Sequence, residues 1–105
     1  MDGHDFVANA FERGAVAAVV HRPEIAGPVI EVPDTGRALR DLAADERGRM
    51  RGARVVGITG SNGKTSSKDL AAAVVGTRLR THASPASFNN EIGLPVTLLD
   101  APAGA

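Results

Sequence analysis

The 105-residue sequence contains no cysteine, no tryptophan and no tyrosine, and three phenylalanines are its whole aromatic content. Without cysteine, a disulfide scaffold and any thiolate metal site are excluded. Charge of one sign is missing as well: 12 Lys+Arg stand against 12 Asp+Glu, with a pI near 6.8. That balance removes the basic footprint of a nucleic-acid or polybasic membrane binder. No apolar run approaches the roughly 18 residues of a membrane span. The opening Met1-Asp2-Gly3-His4-Asp5 lacks the basic and apolar regions of a signal peptide, so the chain reads as soluble, unexported and cytoplasmic. Hydrophobic residues make up 43% of the sequence, but much of that is alanine, and the core is expected to be thin.

What is present alternates between helix and strand patterns. Phe6, Val7, Ala10 and Phe11 recur at helical spacing and Gly14 ends the run. Residues 15–21 (AVAAVVH) form a continuous apolar, β-branched stretch of strand length, and Val29-Ile30-Glu31-Val32 a second after Pro28. Such runs match strands covered on both faces in an α/β sheet. Asp34 or Thr35 then caps a helix with Ala38, Leu39, Leu42 and Ala43 on one face, which runs into the mixed-charge stretch 45–52 (DERGRMRG). Interspersed signs read as a solvated helix end leading to a linker, with a boundary near 51–53.

Past that boundary, residues 54–59 (RVVGIT) have the pattern of a buried strand, 60–63 of a glycine turn, and 64–75 of a helix stopped by Gly76. Residues 77–83 match a further short strand. Ile92, Leu94, Val96, Leu98 and Leu99 alternate as a strand would, yet Asn90 as a cap and Pro95 within the first turn equally suit a helix, so periodicity leaves both open.

The chemistry concentrates in Gly60-Ser61-Asn62-Gly63-Lys64-Thr65. Glycines let backbone amides curl around an anion, the following helix adds its positive end, a lysine reaches β- and γ-phosphates, and a hydroxyl ligates Mg²⁺. The eight-residue form of this loop would require glycine at 58, where the chain has Ile58, which argues against an ordinary kinase or GTPase loop. Lysine is otherwise avoided: Lys64 and Lys68 are the only two, against ten arginines, and both lie on the loop and its helix.

The run V-V-G-I-T-G-S-N-G-K-T-S-S-K-D resembles the ATP-binding loop of the Mur ligases, whose shorter G-[ST]-x-G-K-[TS] form accounts for the missing early glycine. Ser87-Phe88-Asn89-Asn90-Glu91-Ile92-Gly93-Leu94-Pro95-Val96-Thr97-Leu98-Leu99 resembles the N-x-N-N-x-I-G-x-P-x-T-L-L block of the branch that adds D-alanyl-D-alanine. Asp2-Gly3-His4-Asp5-Phe6 and the apolar run after it are similar to the later part of that family's uridine-nucleotide-binding domain. Ser87-Phe88 and Ser66-Ser67 depart from the commoner family residues, although Ser66 keeps a hydroxyl after Thr65.

The resemblance implies an α/β fold: residues 1–52 as the C-terminal part of a small substrate domain for the UDP-muramoyl precursor, and 53–105 as the start of a P-loop, parallel-sheet ATP-binding domain. It implies an ATP- and Mg²⁺-dependent ligase of cell-wall biogenesis, joining D-alanyl-D-alanine to UDP-N-acetylmuramoyl-tripeptide through an acyl phosphate. In that assignment Gly60, Ser61, Asn62, Gly63 and Ser66 cradle phosphate, Lys64 stabilises the moving charge, Thr65 holds Mg²⁺, and Asn89, Asn90 and His4 approach the substrate. Capping of the next helix competes as the role of the asparagine pair. His21 and His82 read as strand-end residues. A second Mg²⁺ ligand is not evident, family members are several times longer, and this piece alone is expected not to ligate. A sibling tripeptide-forming ligase, folylpolyglutamate synthetase and a non-catalytic nucleotide-binding module are the alternatives.

Overall fold

The computed structural model describes residues 2–85 and 90–105. The architecture is α/β, with a two-stranded parallel sheet and four α-helices among the described residues. The chain divides into two compact units, Met1–Ala38 and Leu39–Ala105, the division falling within one helix.

In the first unit a 3₁₀ turn, Gly3–Phe6, leads directly into helix α1, Val7–Glu12. Asp2 starts the turn by accepting the His4 amide on its carboxylate at 3.0 Å. Strands β1, Ala18–Val20, and β2, Val29–Glu31, pair in parallel with Val19 opposite Ile30. The Pro28 carbonyl accepts from the Ala18 amide at 3.0 Å and the Val20 carbonyl from the Val32 amide at 2.8 Å, so the ladder extends one residue beyond each end of β2.

Parallel neighbours usually need a crossover of about a dozen residues or more. Here the connection is residues 21–28, short and irregular. Gly27 makes it possible: its φ is +113°, and a Cβ there would sit 2.8 Å from Cε2 of Phe11 on α1. A side chain at 27 would meet both a backbone penalty and the phenyl ring.

The strands are not covered on both faces as their composition implies. Val20 is 1% exposed, but Val19 and Ile30 are largely open. The hydrophobic pattern reports what a strand is able to bury; covering layers come from elsewhere in a fold.

Helix α2, Thr35–Arg49, begins where Asp34 accepts the Arg37 amide on Oδ1 at 3.1 Å, so Asp34 is the cap. Its C-terminal charges face water, with Asp45 and Arg49 paired at 2.9 Å one turn apart. Helix α3, Lys64–Val75, ends in a tight turn at Gly76, where a Cβ would meet the Ala72 carbonyl at 2.8 Å. Helix α4, Gly93–Asp100, resolves the ambiguity at 92–99 in favour of helix. Pro95 stands in its first turn, where no intrahelical amide is needed, and Gly93 and Pro95 are buried.

Two expected strands are absent. Residues 54–59 and 77–83 have strand composition, but neither joins a ladder among the described residues. Val56 is 79% exposed, and Val55, Leu70 and Val74 are also open. A strand exists only with a neighbour to take its amides and carbonyls, and composition supplies none. Around 77–83 the bonds run from side chains instead: Arg80 donates to the Ala103 carbonyl at 3.3 Å and the His82 ring to the Thr97 carbonyl at 3.0 Å. His82 is therefore tied to α4 rather than closing a strand. The thin core is as expected: Val20 and Ala43 are the buried hydrophobic residues among those described, and no helix is long and apolar enough to cross a membrane.

Candidate functional site

The two units carry separate candidate sites. In the second, the turn 60–63 delivers the chain into α3, and Gly63 occupies the N-cap position in the left-handed region, φ +75°. Among the described residues no side chain caps the helix there, no acidic residue lies in its first turn, and the Cβ position of Gly63 has nothing within 4 Å. The amide end of a three-turn helix is thus left open to an incoming anion, which the helix dipole and the first-turn N–H groups favour. Lys64 and Thr65 are the first two residues of α3 and Ser66 the third, all exposed. The structure therefore brings Gly60, Ser61, Asn62, Gly63, Lys64, Thr65 and Ser66 together on one continuous turn and helix start. This arrangement fits a nucleotide phosphate chain, with the Thr65 hydroxyl the group suited to a magnesium ion bound with it. Among the described residues no three His, Asp or Glu side chains gather into a group that could hold a metal ion.

Lys68 follows Lys64 by four residues, hence on the same face of α3. Its ammonium donates to the Ser84 carbonyl at 2.6 Å and lies 3.5 Å from the Asp69 carboxylate. Asn90, at the entry to α4, spends its side chain on the backbone: Oδ1 accepts the Ile92 amide at 3.2 Å and the Gly93 amide at 2.6 Å, while its carbonyl accepts the Leu94 amide. Capping accounts for Oδ1, on a residue that is itself exposed. Asn89 lies outside the described residues.

In the first unit Asp2, Gly3, His4, Val7, Val19, His21 and Thr35 line an open cleft of about 350 Å³. His4 holds its floor together. Its side chain is 6% exposed; Nδ1 lies 2.7 Å from Asp2 Oδ1, and Nε2 accepts the His21 amide at 3.1 Å. A carboxylate accepts and an amide donates, so the ring is the neutral tautomer with its proton on Nδ1. Arg22 pairs with the other oxygen of Asp2. Both nitrogens of His4 are thereby engaged within the chain. The His21 ring packs edge-on against it, centroids 4.2 Å apart, with Nδ1 3.5 Å from the Thr35 hydroxyl. Asp2, His21 and Arg22 were not legible as site residues: the Asp-x-His spacing is the sole sequence hint, and the contact from residue 22 to residue 2 has none.

Residues 58–105 match the model of the Mur ligase middle domain. Over 96% of its length the chain is 49% identical to the UDP-N-acetylmuramoyl-tripeptide–D-alanyl-D-alanine ligase of Bacillus subtilis (strain 168), covering 23% of that protein. It is 44% identical to the enzyme of the same name from Escherichia coli (strain K12), over 93% of this chain and 22% of that one. A solved structure, the UDP-N-acetylmuramoylalanyl-D-glutamyl-2,6-diaminopimelate–D-alanyl-D-alanyl ligase of Acinetobacter baumannii, superposes with a TM-score of 0.88 and 32% identity, over 99% of this chain and 24% of that one. The chain thus spans about a quarter of the length of the relatives it matches.

Proposed function

Because the chain belongs to the Mur ligase family, we propose that it serves an ATP-dependent ligase of peptidoglycan-precursor synthesis, joining D-alanyl-D-alanine to UDP-N-acetylmuramoyl-tripeptide. The observation that carries this is the uncapped start of α3 behind Gly63, with Lys64 and Thr65 as its first residues, in a stretch related to enzymes of that name. In this reading residues 1–52 end the substrate domain and 53–105 begin the P-loop ATP-binding domain, an assignment supported by the family match beginning at 58.

The reaction transfers the γ-phosphoryl group of ATP to the terminal carboxylate of the tripeptide. The amine of D-alanyl-D-alanine then attacks the acyl carbon, forming the amide and releasing phosphate. The backbone amides of residues 60–63 and the start of α3 orient the phosphates, and Lys64 follows the charge as it moves to the leaving oxygen. Magnesium, when bound, neutralises phosphate oxygens, with Thr65 as the hydroxyl that would hold it. Asn90, fixed by its own capping bonds, offers its Nδ2 group to substrate; Asn89 is assigned beside it by resemblance. His4 acts on the precursor indirectly, by shaping the cleft that Thr35 and His21 line. Both co-substrates, ATP and the UDP-linked peptide, are cytoplasmic metabolites, and that is where the protein is expected.

The test is amide formation by the complete reading frame that carries this chain, given MgATP, UDP-N-acetylmuramoyl-tripeptide and D-alanyl-D-alanine. Product of the expected mass with one phosphate released per amide supports the assignment. Phosphate release independent of either peptide substrate contradicts it.

A further inference from the structure

Lys68 is the one lysine of the chain outside the phosphate loop, and its position is unusual for a helix-surface cation. Its side chain is 16% exposed, and its ammonium is held against a backbone carbonyl, that of Ser84, sixteen residues further along. The acceptor directly precedes Pro85, which restricts residue 84 to extended conformations and contributes no amide of its own. The carbonyl that Lys68 takes is therefore presented at a stiffened point of the chain. Asn90, six positions later in the sequence, commits its side chain to the start of α4. One turn before Lys68, on the same face of α3, stands Lys64.

We propose that Lys68 is a positioning residue: by bonding the Ser84 carbonyl it fixes Ser84 and Pro85 beside the phosphate-loop helix, and so sets where Asn90 and α4 stand relative to Lys64. The contact joins the element that orients the phosphoryl donor to the element that offers groups to the acceptor carboxylate. The role rests on the ligase reading given above. It also accounts for the residue type. A compact ammonium with three rotatable donors serves the Ser84 carbonyl and the nearby Asp69 carboxylate from one point, whereas a guanidinium is a rigid planar fork. In a chain with ten arginines, lysine is retained at this point.

The experiment uses the complete reading frame with Lys68→Met, Lys68→Arg and Lys68→Cys, the last before and after alkylation with 2-bromoethylamine, which rebuilds an ammonium of nearly the same reach. The parent protein is alkylated alongside as a control. MgATP affinity is expected to stay within about threefold of the parent, because the role proposed for Lys68 lies at the Ser84 carbonyl, while kcat/KM for the peptide substrate falls by about tenfold or more in the Met and Cys variants. Alkylation of the Cys variant restores most of the loss, and Arg restores little. Hydrogen exchange at the Ile92 and Gly93 amides gives a readout that needs no ligase activity: exchange speeds up in the Met variant and returns after alkylation of the Cys variant. Parent-like kcat/KM in Lys68→Met, or a loss that alkylation does not reverse, overturns the proposal. An inactive parent with the exchange pattern intact overturns the ligase reading and leaves the Lys68 tie standing, so the two failures are distinguishable.

Discussion

The Nε2 atom of His4 accepts the backbone amide of His21 at 3.1 Å, and through that bond a 3₁₀ turn at the start of the chain holds the end of the first strand. The opposite ring nitrogen is fixed by Asp2 at 2.7 Å. The bond is specific to the neutral ring, since only a lone pair on Nε2 meets an N–H. His4→Ala removes both bonds and hands the exposed His21 amide to water. The expected destabilisation is about 1 kcal/mol, measured by urea denaturation, with faster exchange of the His21 amide by NMR. Parent-like exchange at His21 would show that the amide does not depend on this ring.

Gly27 and Phe11 yield a second expectation. The built Cβ of residue 27 lies 2.8 Å from the Phe11 ring, and φ there is +113°. Gly27→Ala therefore meets two separate penalties, together expected to reach about 2–4 kcal/mol. Phe11→Leu relieves the ring contact and leaves the dihedral penalty. The double variant should accordingly lose less than the sum of the single ones, by about 1 kcal/mol in a double-mutant cycle. Strict additivity would mean that the ring moves aside freely.

These local features also mark what a single sequence makes legible. The start of α2 at Asp34, the stop of α3 at Gly76 and the glycine turn before Lys64 are written in residues whose backbone preferences act within one turn, and the structure follows them. Strands β1 and β2 lie within β-branched runs, and their parallel pairing is what each segment found in the other. Residues 54–59 and 77–83 have equally strong strand composition and form no ladder among the described residues, because pairing is a property of two segments. The same division runs through the sites. The candidate phosphate loop is contiguous, so its glycines, lysine and hydroxyls stand side by side in the sequence. The Arg22 contact to Asp2 and the Lys68 contact to Ser84 join distant positions, and in the second case the acceptor is a main-chain oxygen that any residue type would supply.

The phosphate loop itself is tested by separating charge from hydroxyl. Lys64→Ala should weaken MgATP binding and reduce kcat by about a hundredfold or more, since a charge aimed at the transferring group acts mainly in the transition state. Thr65→Ala should raise the magnesium concentration needed for half-maximal rate, and Thr65→Ser should restore it, because serine keeps the hydroxyl. Isothermal titration and a magnesium series at fixed ATP distinguish the two variants. Equal ATP affinity in the parent and Lys64→Ala would remove the basis for assigning the loop.

Asn90 carries a conflict between two roles that a pair of substitutions separates. As a cap, its Oδ1 takes the amides of Ile92 and Gly93, and Asn90→Ala should destabilise α4 by about 1 kcal/mol. Asn90→Asp preserves that function, since a carboxylate oxygen accepts the same amides and its charge favours a helix start. It also deletes the Nδ2 donor and, under the proposed ligase function, sets a negative charge beside the acceptor carboxylate. If the side chain only caps, Asp should restore both stability and turnover. The proposed function predicts a split: thermal stability returns to the parent value in Asn90→Asp, while kcat/KM stays at least about tenfold below it, because repulsion from the acceptor carboxylate replaces the hydrogen bond that the proposal assigns to Nδ2.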